Sequence, residues 1–255
     1  MIKAASLFIC LFITSIVSCQ SATSQKNPPD HSAWDELLKK NVAKNGDVNY
    51  KSFKTDLKKL DVYLKMLSKV QASNLSKPEQ QAYWINVYNA FTIDLVARNY
   101  PLKSIKDIRN AKSLVAKATG GSQVWIEKLR YSFDGEELSL YNIENKKLLK
   151  ELFDPRIHFV INCASYSCPR LLNRAYTGNN LESLMSEMAR EFINDRTKNK
   201  ISGNKIEISE IFKWYKGDFT RNGTLIAYLA KYSSVKINPN ASVSFINYDW
   251  SLNEM

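Results

Sequence analysis

The hydrophobic pattern places one long, almost uniformly apolar helix at the centre of the chain. Ser76 followed by Glu79, with Pro78 between them, is the capping-box signature of a helix start, and Pro101 marks its end. In between, residues 82–96 are apolar nearly all round instead of along one stripe. This pattern is typical of a helix that other elements cover on most sides. We therefore expect this helix to form the core.

Shorter patterned segments flank this helix. Residues 32–42 and 54–69 repeat apolar side chains at helical spacing. Later segments have the pattern of strands, at residues 124–126, 129–133, 137–140, 205–208 and 243–250. Asp134-Gly135 between two such segments predicts a β-hairpin. Helices come first and strands follow among further helices, without regular alternation. This order predicts the α+β class, with the central buried helix packed on a mainly antiparallel sheet.

The stretch with the most distinctive chemistry is IHFVINCASYSCP, residues 157–169. His158 opens an apolar run that predicts a buried strand, and Cys163 and Cys168 bracket a small polar loop behind it. An imidazole near two thiols is what a thiol nucleophile and its base require. A disulfide beside a structural histidine would have the same sequence. The pattern therefore leaves a catalytic and a structural interpretation open.

The N-terminus has the pattern of a bacterial lipoprotein signal. A charge at Lys3 precedes an apolar core that is too short for a permanent membrane span, and small residues lead to Cys19. We expect residues 1–18 to be removed as a signal peptide and Cys19 to be acylated, a stable anchor to membrane lipid. The alternative is an ordinary secretory signal that happens to end near a cysteine. Residues 19–31 would then be a lipid-anchored tether, and residues 32–255 a single α+β domain.

The charge balance adds a basic surface. The chain has 36 Lys and Arg against 25 Asp and Glu, a formal net charge of +11. Basic surfaces can bind nucleic acid, but the expected export to the bacterial cell envelope, periplasmic or surface-facing, argues against that partner. An anionic envelope polymer or a peptide substrate would be compatible with it. The simplest explanation is a solvated, lysine-rich surface, and the pattern does not indicate an oligomeric state.

Four motifs in order resemble the domain of unknown function 547 family. They are YWINVYNAFTIDL, SLYNIENKKL, DPRIHFVINCASYSCP and IFKWYKGDF, and the resemblance runs from about residue 34 to residue 219. It implies no activity, because the family is named for lacking an assigned one. A papain- or transglutaminase-like core would suit the predicted elements by fold-level analogy. The positions that match the family's motifs are Asn86, Asn89, Glu144, Arg156, His158, Cys163, Cys168 and Pro169, with Asn162 and Ser165 in less fixed places.

The first interpretation of these residues is a cysteine-dependent acyl-transfer enzyme, either a hydrolase or a transferase. His158 would be the base, and Glu144, or alternatively the amide of Asn86, would orient its ring. Strand alternation puts Cys163 on the face opposite His158, which favours Cys168 as the nucleophile, whereas a bulge would favour Cys163. Backbone amides of the loop would supply oxyanion donors. The candidate substrate-binding residues are Asn86, Asn89, Arg156, Asn162 and Ser165, although for the first two, hydrogen bonds to loops are the simpler explanation.

Two alternatives remain open. Cys163 and Cys168 could form a disulfide in a non-catalytic binding or scaffolding domain, where closing so short a loop contributes only about 2 kcal/mol. His158 and the two cysteines could also bind zinc, although the spacing lacks a zinc knuckle. We favour no metal, because the knuckle is missing and no other histidine is available, and no cofactor, because the chain has no P-loop and no dinucleotide fingerprint. It also lacks the nucleophile elbow of serine hydrolases.

Overall fold

The computed structural model describes residues 27–108 and 131–255. The predicted signal peptide, Cys19 and most of the tether lie outside these residues. So does the beginning of the strand region that the sequence predicts, at residues 124–130. The helices of the first half are α1 (Ser32–Asn41), α2 (Tyr50–Thr55), α3 (Leu57–Leu67) and α4 (Lys77–Asn99), with 3-10 turns at Ala72–Asn74 and Ile105–Asp107.

The helix α4 is the central element, as its pattern predicts. Ser76 and Glu79 form the capping box at its start. Every residue from Ala82 to Ala97 is buried, so the apolar pattern corresponds to burial on all sides. The neighbours that cover it most extensively are α2, α3 and the segment Ile143–Glu151. Helices provide most of this cover, and the antiparallel strands at residues 131–138 add to it, because Phe91 packs against Tyr131 and Phe133.

The helix predicted over residues 54–69 is interrupted, and α2 and α3 meet at Asp56. The buried Asp56 carboxylate accepts hydrogen bonds from Lys40 Nζ at 2.6 Å and Asn41 Nδ2 at 3.3 Å. These partners belong to α1 and its end, so a tertiary contact holds the break in place. Periodicity along a single segment does not reveal such a contact.

The strands form two small sheets. The strands β1 (Tyr131–Phe133) and β2 (Glu136–Leu138) pair as an antiparallel hairpin, which confirms the turn predicted at Asp134-Gly135. Both turn residues have positive φ, 50° and 73°, as this tight turn requires. In the second sheet, β4 (Lys205–Ser209) lies between an antiparallel β3 (Lys200–Ile201) and a parallel β5 (Ser242–Ile246).

Short helices fill the rest of the second half, so the α+β class is confirmed. The helix α5 (Leu140–Asn142) continues as the π-helical segment Ile143–Glu151, a rare form that is frequent at functional sites. No helix among residues 27–108 and 131–255 combines the length and the apolar character needed to cross a membrane. The remaining helices are α6 (Leu181–Asn194), α7 (Ile211–Trp214), α8 (Lys216–Phe219) and α9 (Leu225–Ala230).

The predicted strand at His158 is wrong, because this residue lies in a 3-10 helix, Pro155–Phe159. The Asp154 carboxylate caps that helix by accepting the backbone N–H of Arg156, and Pro155 occupies the first turn. An aspartate followed by proline favours a helix start. This local signal therefore prevailed over the apolar run that suggested a strand.

Candidate functional site

His158, Cys163 and Cys168 line one cavity of about 90 Å³. His158 is only 3% exposed, while Trp214 on the same cavity is 46% exposed, so the cavity reaches the surface beside the tryptophan. Glu144 also lines it. The other walls are largely aromatic and aliphatic, and they include Tyr88, Ile161, Ile211, Tyr215, Tyr248 and Trp250.

The imidazole of His158 is held by Asp218. Its Nε2 lies 2.9 Å from Asp218 Oδ2, and this hydrogen bond lowers the pKa of the Asp218 carboxyl below its ordinary value. The ring also packs against Tyr215, with ring centroids 3.9 Å apart, and against Phe219 at 5.2 Å. The short helices α7 and α8 thus bring an acid and two aromatic rings to the histidine. The ring is fixed in both position and tilt.

The prediction that Glu144 orients His158 is wrong. The Glu144 carboxylate accepts hydrogen bonds from Tyr88 at 3.2 Å and from Tyr215 at 2.7 Å. It reaches the histidine only indirectly, through the ring of Tyr215. The alternative candidate, Asn86, is also engaged elsewhere. Its amide donates to the carbonyl of Tyr176 and accepts the N–H of the same residue.

The two thiols share a compact hydrogen-bonded cluster with Ser165 and Tyr248. Cys168 Sγ accepts the backbone N–H of Cys163 at 3.1 Å and the Ser165 hydroxyl at 3.3 Å. The Tyr248 hydroxyl lies 3.1 Å from Cys168 Sγ and 3.4 Å from Cys163 Sγ. Hydrogen-bond donors thus converge on one sulfur, Cys168, in a buried site.

This cluster of hydrogen bonds lowers the pKa of the Cys168 thiol, while the pKa of the Cys163 thiol is raised. Burial would raise the pKa of the Cys168 thiol, but hydrogen bonds from Cys163, Ser165 and Tyr248 outweigh it and lower the pKa to about 6. The hydrogen bond to Cys168 and burial raise the pKa of Cys163 well above its ordinary value. Thiolates and not thiols are nucleophilic, so these hydrogen bonds favour Cys168 over Cys163 as the more acidic thiol of the pair.

The loop that carries the cysteines is tightly fixed. Ala164 is completely buried with φ of +59°, in the left-handed region that costs an alanine energy. The side chain of Asn162 accepts the Ala164 N–H at 2.8 Å and donates to the Pro169 carbonyl at 2.7 Å. The loop amides of Cys163 and Ala164 are thus bonded inside the fold. The expectation that loop amides form an oxyanion hole is wrong for these two.

The predicted substrate-binding residues fall into two groups, one that holds neighbouring segments in place and one that lines a second cavity. Asn89 holds the segment before the cysteines by donating to the Val160 carbonyl and accepting the Asn162 N–H, each at 2.9 Å. Arg156 forms ion pairs with Asp154 and Glu182. None of the five predicted substrate-binding residues lines the 90 Å³ cavity. The contacts of Asn86 and Asn89 agree with the simpler explanation that these two side chains hold loops in place. Asn162 and Ser165 line a separate cavity of about 380 Å³, which Cys168 also borders.

The two alternative interpretations receive no support from these residues. Cys163 and Cys168 are free thiols in the structure, so the disulfide is not formed. In the described ranges, 27–108 and 131–255, no three His, Cys, Asp or Glu side chains are grouped so that they could hold a metal ion. His158 is bonded to Asp218 while the thiols bond to Ser165 and Tyr248.

Comparison with known families agrees with the sequence motifs. Residues 72–193 match the family model described as "Protein of unknown function, DUF547". The chain resembles the DUF547 family. The matched segment contains the first three motifs, including the cysteine loop, and ends before IFKWYKGDF, so it is shorter than the expected span of residues 34–219. Neither the curated proteins nor the solved structures returned a match, and the papain- or transglutaminase-like analogy therefore stays a prediction.

Sequence reasoning missed Asp218, Tyr215 and Tyr248. The first two lie in the motif IFKWYKGDF, so the only aspartate of that motif was an available signal for a histidine partner. Tyr248 lies in the predicted last strand, which the structure ends at Ile246. Beyond that residue the chain turns toward the cavity, and Tyr248 and Trp250 join its wall. No local pattern indicates this approach.

Proposed function

We propose that the cavity beside His158 is the active site of a cysteine-dependent acyl-transfer enzyme, a hydrolase or a transferase. Cys168 is its nucleophile, and His158, oriented by Asp218, is its general acid and base. The observation that carries the proposal is the cluster of hydrogen-bond donors around Cys168 Sγ, which favours the thiolate in a cavity that also contains an oriented imidazole.

The thiolate would attack a carbonyl carbon of the substrate. A carbon–sulfur bond forms while the carbonyl π electrons move to the oxygen, and collapse of this intermediate expels the leaving group. His158, which has taken the proton of the Cys168 thiol, gives that proton to the departing atom, and an acyl-enzyme is left on Cys168. Water or an amine, deprotonated by His158, then attacks the thioester and releases Cys168. The two final acceptors distinguish a hydrolase from a transferase.

Tyr248 is the side chain placed to stabilise the oxyanion. Burial raises the pKa of its hydroxyl well above the ordinary value, so it remains a proton donor at neutral pH. It lies 3.1 Å from Cys168 Sγ, and its hydroxyl can move from the sulfur to the developing oxyanion as the thiolate charge is consumed. This role takes the place of the backbone amides expected from the sequence.

The test is a search for the acyl-enzyme. The protein would be mixed with p-nitrophenyl acetate near neutral pH and examined by intact mass and peptide mapping. We expect one acetyl group on Cys168 and no such product in C168A. The variant C163A would still be acetylated, although more slowly. It keeps the backbone N–H that bonds to Cys168 Sγ but loses the thiol of Cys163, which also lowers the pKa of Cys168. Acetylation of Cys163, or an equal product in C168A, would refute the proposal.

We also propose that the enzyme works as an envelope lipoprotein, anchored through acylated Cys19. The support is the sequence pattern alone, a charged start, a short apolar core and a cysteine after small residues. In a bacterial host, the wild-type chain should fractionate with membranes and incorporate a fatty acid label. C19A should lose the label. Label retained in C19A would rule out this anchor.

A further inference from the structure

The charge inside the cavity differs from the charge of the whole chain. The sequence contains 36 Lys and Arg, yet the described residues that line the cavity include no Lys or Arg. They do include Glu144 and the reactive Cys168. A cavity with anionic lining in a strongly basic protein favours cationic groups over anionic ones.

Glu144 is the strongest indication of this preference. It is 3% exposed, and each carboxylate oxygen accepts one tyrosine hydroxyl, Oε2 from Tyr88 and Oε1 from Tyr215. A carboxylate oxygen can accept two hydrogen bonds, so both oxygens keep acceptor capacity. Among the described residues no lysine or arginine forms an ion pair with it, and the adjacent Lys146 and Lys147 pair with Glu136 and Glu151 instead. A buried carboxylate without a cation is costly, and a ligand cation would offset that cost.

The aromatic walls favour the same ligand. Trp214, Tyr248 and Trp250 form one cluster on the cavity, with ring centroids 4.7 to 6.0 Å apart. The faces of such rings attract ammonium groups. Lys106 Nζ already lies over Trp250, 3.5 Å from its ring centroid, so Trp214, which is 46% exposed, and Tyr248 are the rings left for a ligand. The volume of about 90 Å³ suits a short chain and not a folded polymer.

We propose that the cavity binds a primary ammonium group of the substrate, with Glu144 as its counter-ion and the aromatic cluster as its wall. The acyl donor is then an amine-bearing compound such as a peptide, and not an anionic envelope polymer. The acyl-transfer part of this statement rests on the proposed function. The ammonium site itself does not, since binding can be measured without catalysis.

The experiment uses three small probes of equal length, butylammonium, butyrate and 1-butanol. Their binding to the C168A protein would be measured by tryptophan fluorescence and by calorimetry, because this variant removes the thiolate as a second negative charge. We expect butylammonium to bind at least about tenfold more tightly than the other two, a difference of about 1.4 kcal/mol. If butyrate bound as tightly as butylammonium or more tightly, the proposal would be overturned. This comparison needs no substitution of Glu144.

Two further variants assign the effect to the carboxylate. In the C168A background, E144Q keeps the shape of the side chain and should weaken butylammonium binding at least about tenfold. The matched control, E207Q, removes a surface carboxylate that pairs with Lys205 and should leave binding unchanged. The proposal would be overturned if both substitutions weakened butylammonium binding equally. It would also be overturned if E144Q left this binding unchanged while the variant showed the same unfolding transition as its parent.

The outcomes also separate this site from the enzymatic proposal. Selective binding of butylammonium together with no acetyl product on wild-type Cys168 would remove the acyl-transfer function and keep the ammonium site. An acetyl product on Cys168 together with no selectivity for butylammonium would keep the enzyme and remove the ammonium site.

Discussion

Asp218 accepts a hydrogen bond from His158 across 60 residues of sequence, with Nε2 and Oδ2 2.9 Å apart. When Nε2–H donates to this carboxylate, Nδ1 is the nitrogen that can take or release a proton. Asp218 keeps its negative charge because the same bond lowers its pKa. The pair therefore selects one tautomer of the imidazole and stabilises the imidazolium that forms during proton transfer.

Replacing Asp218 by asparagine tests this pair. An amide cannot stabilise the imidazolium and can favour the other tautomer, so we expect the turnover of p-nitrophenyl acetate to fall by about 10²- to 10⁴-fold. The acetyl group should still reach Cys168, because Asp218 does not contact the sulfur. The control is R221A, which removes the other charged partner of Asp218, 3.5 Å away and half-exposed. An unchanged turnover in D218N would contradict the role.

The sequence identified His158 and both cysteines, which line one cavity in the structure, but not the partners of these side chains. His158 and both cysteines come from one short segment, so their proximity follows from the chain itself. Asp218 reaches His158 through the packing of α8, and Tyr248 reaches the thiols after the end of β5. These contacts depend on tertiary structure, which periodicity and spacing do not encode.

The same contrast holds for the fold. The capping box and the continuous burial of α4 were predicted correctly, because a cap and an all-round apolar pattern are local signals. The hairpin at Asp134-Gly135 was equally local. The predicted strand at His158 is wrong because a buried apolar run of this length is compatible with a strand or a helix. The preceding Asp154 and Pro155 favour a helix start, and the segment is a 3-10 helix.

Asn89 should be essential for the loop that carries the cysteines. Asn89→Ala removes two hydrogen bonds from buried groups and leaves the Val160 carbonyl and the Asn162 N–H unpaired. We expect a loss of about 2–4 kcal/mol in the free energy of unfolding, measured in urea. Asn99→Ala is the control on the same helix, since among the described residues its side chain donates to the Leu95 carbonyl within the last turn. A loss in N89A no greater than in N99A would show that the loop is held by other contacts.

Gly46 provides a second, backbone test of the loop support. Its φ is +90°, and an added Cβ would lie 2.3 Å from the Cβ of Arg170, the residue after Pro169. Gly46→Ala should therefore cost about 2–4 kcal/mol through strain and overpacking. Gly217→Ala is the control, because no described atom beyond its chain neighbours and its own helix backbone lies within 4 Å of its Cβ position in α8. Urea unfolding curves would compare both variants, and equal midpoints would contradict the close approach.

The acidity of Cys168 also predicts how stability depends on pH. Its pKa is lower in the folded protein, about 6, than the ordinary value of 9.0. The stabilisation is therefore complete above the unfolded pKa and is lost as the pH falls through about 6. The wild-type protein should gain ~1–3 kcal/mol over C168A between pH 5.5 and pH 8. Parallel stability curves of the two proteins over this range would exclude a depressed pKa.

The reactivity of Cys168 is tested most directly by the rate at which iodoacetamide alkylates each cysteine as a function of pH. The native protein, without reductant, would be pulse-labelled and the modified residues identified by peptide mapping. Cys168 should react first, with a midpoint near pH 6, while Cys163 stays unmodified until more alkaline pH. A midpoint near 9 for Cys168, faster reaction of Cys163, or no free thiol at all would contradict this prediction.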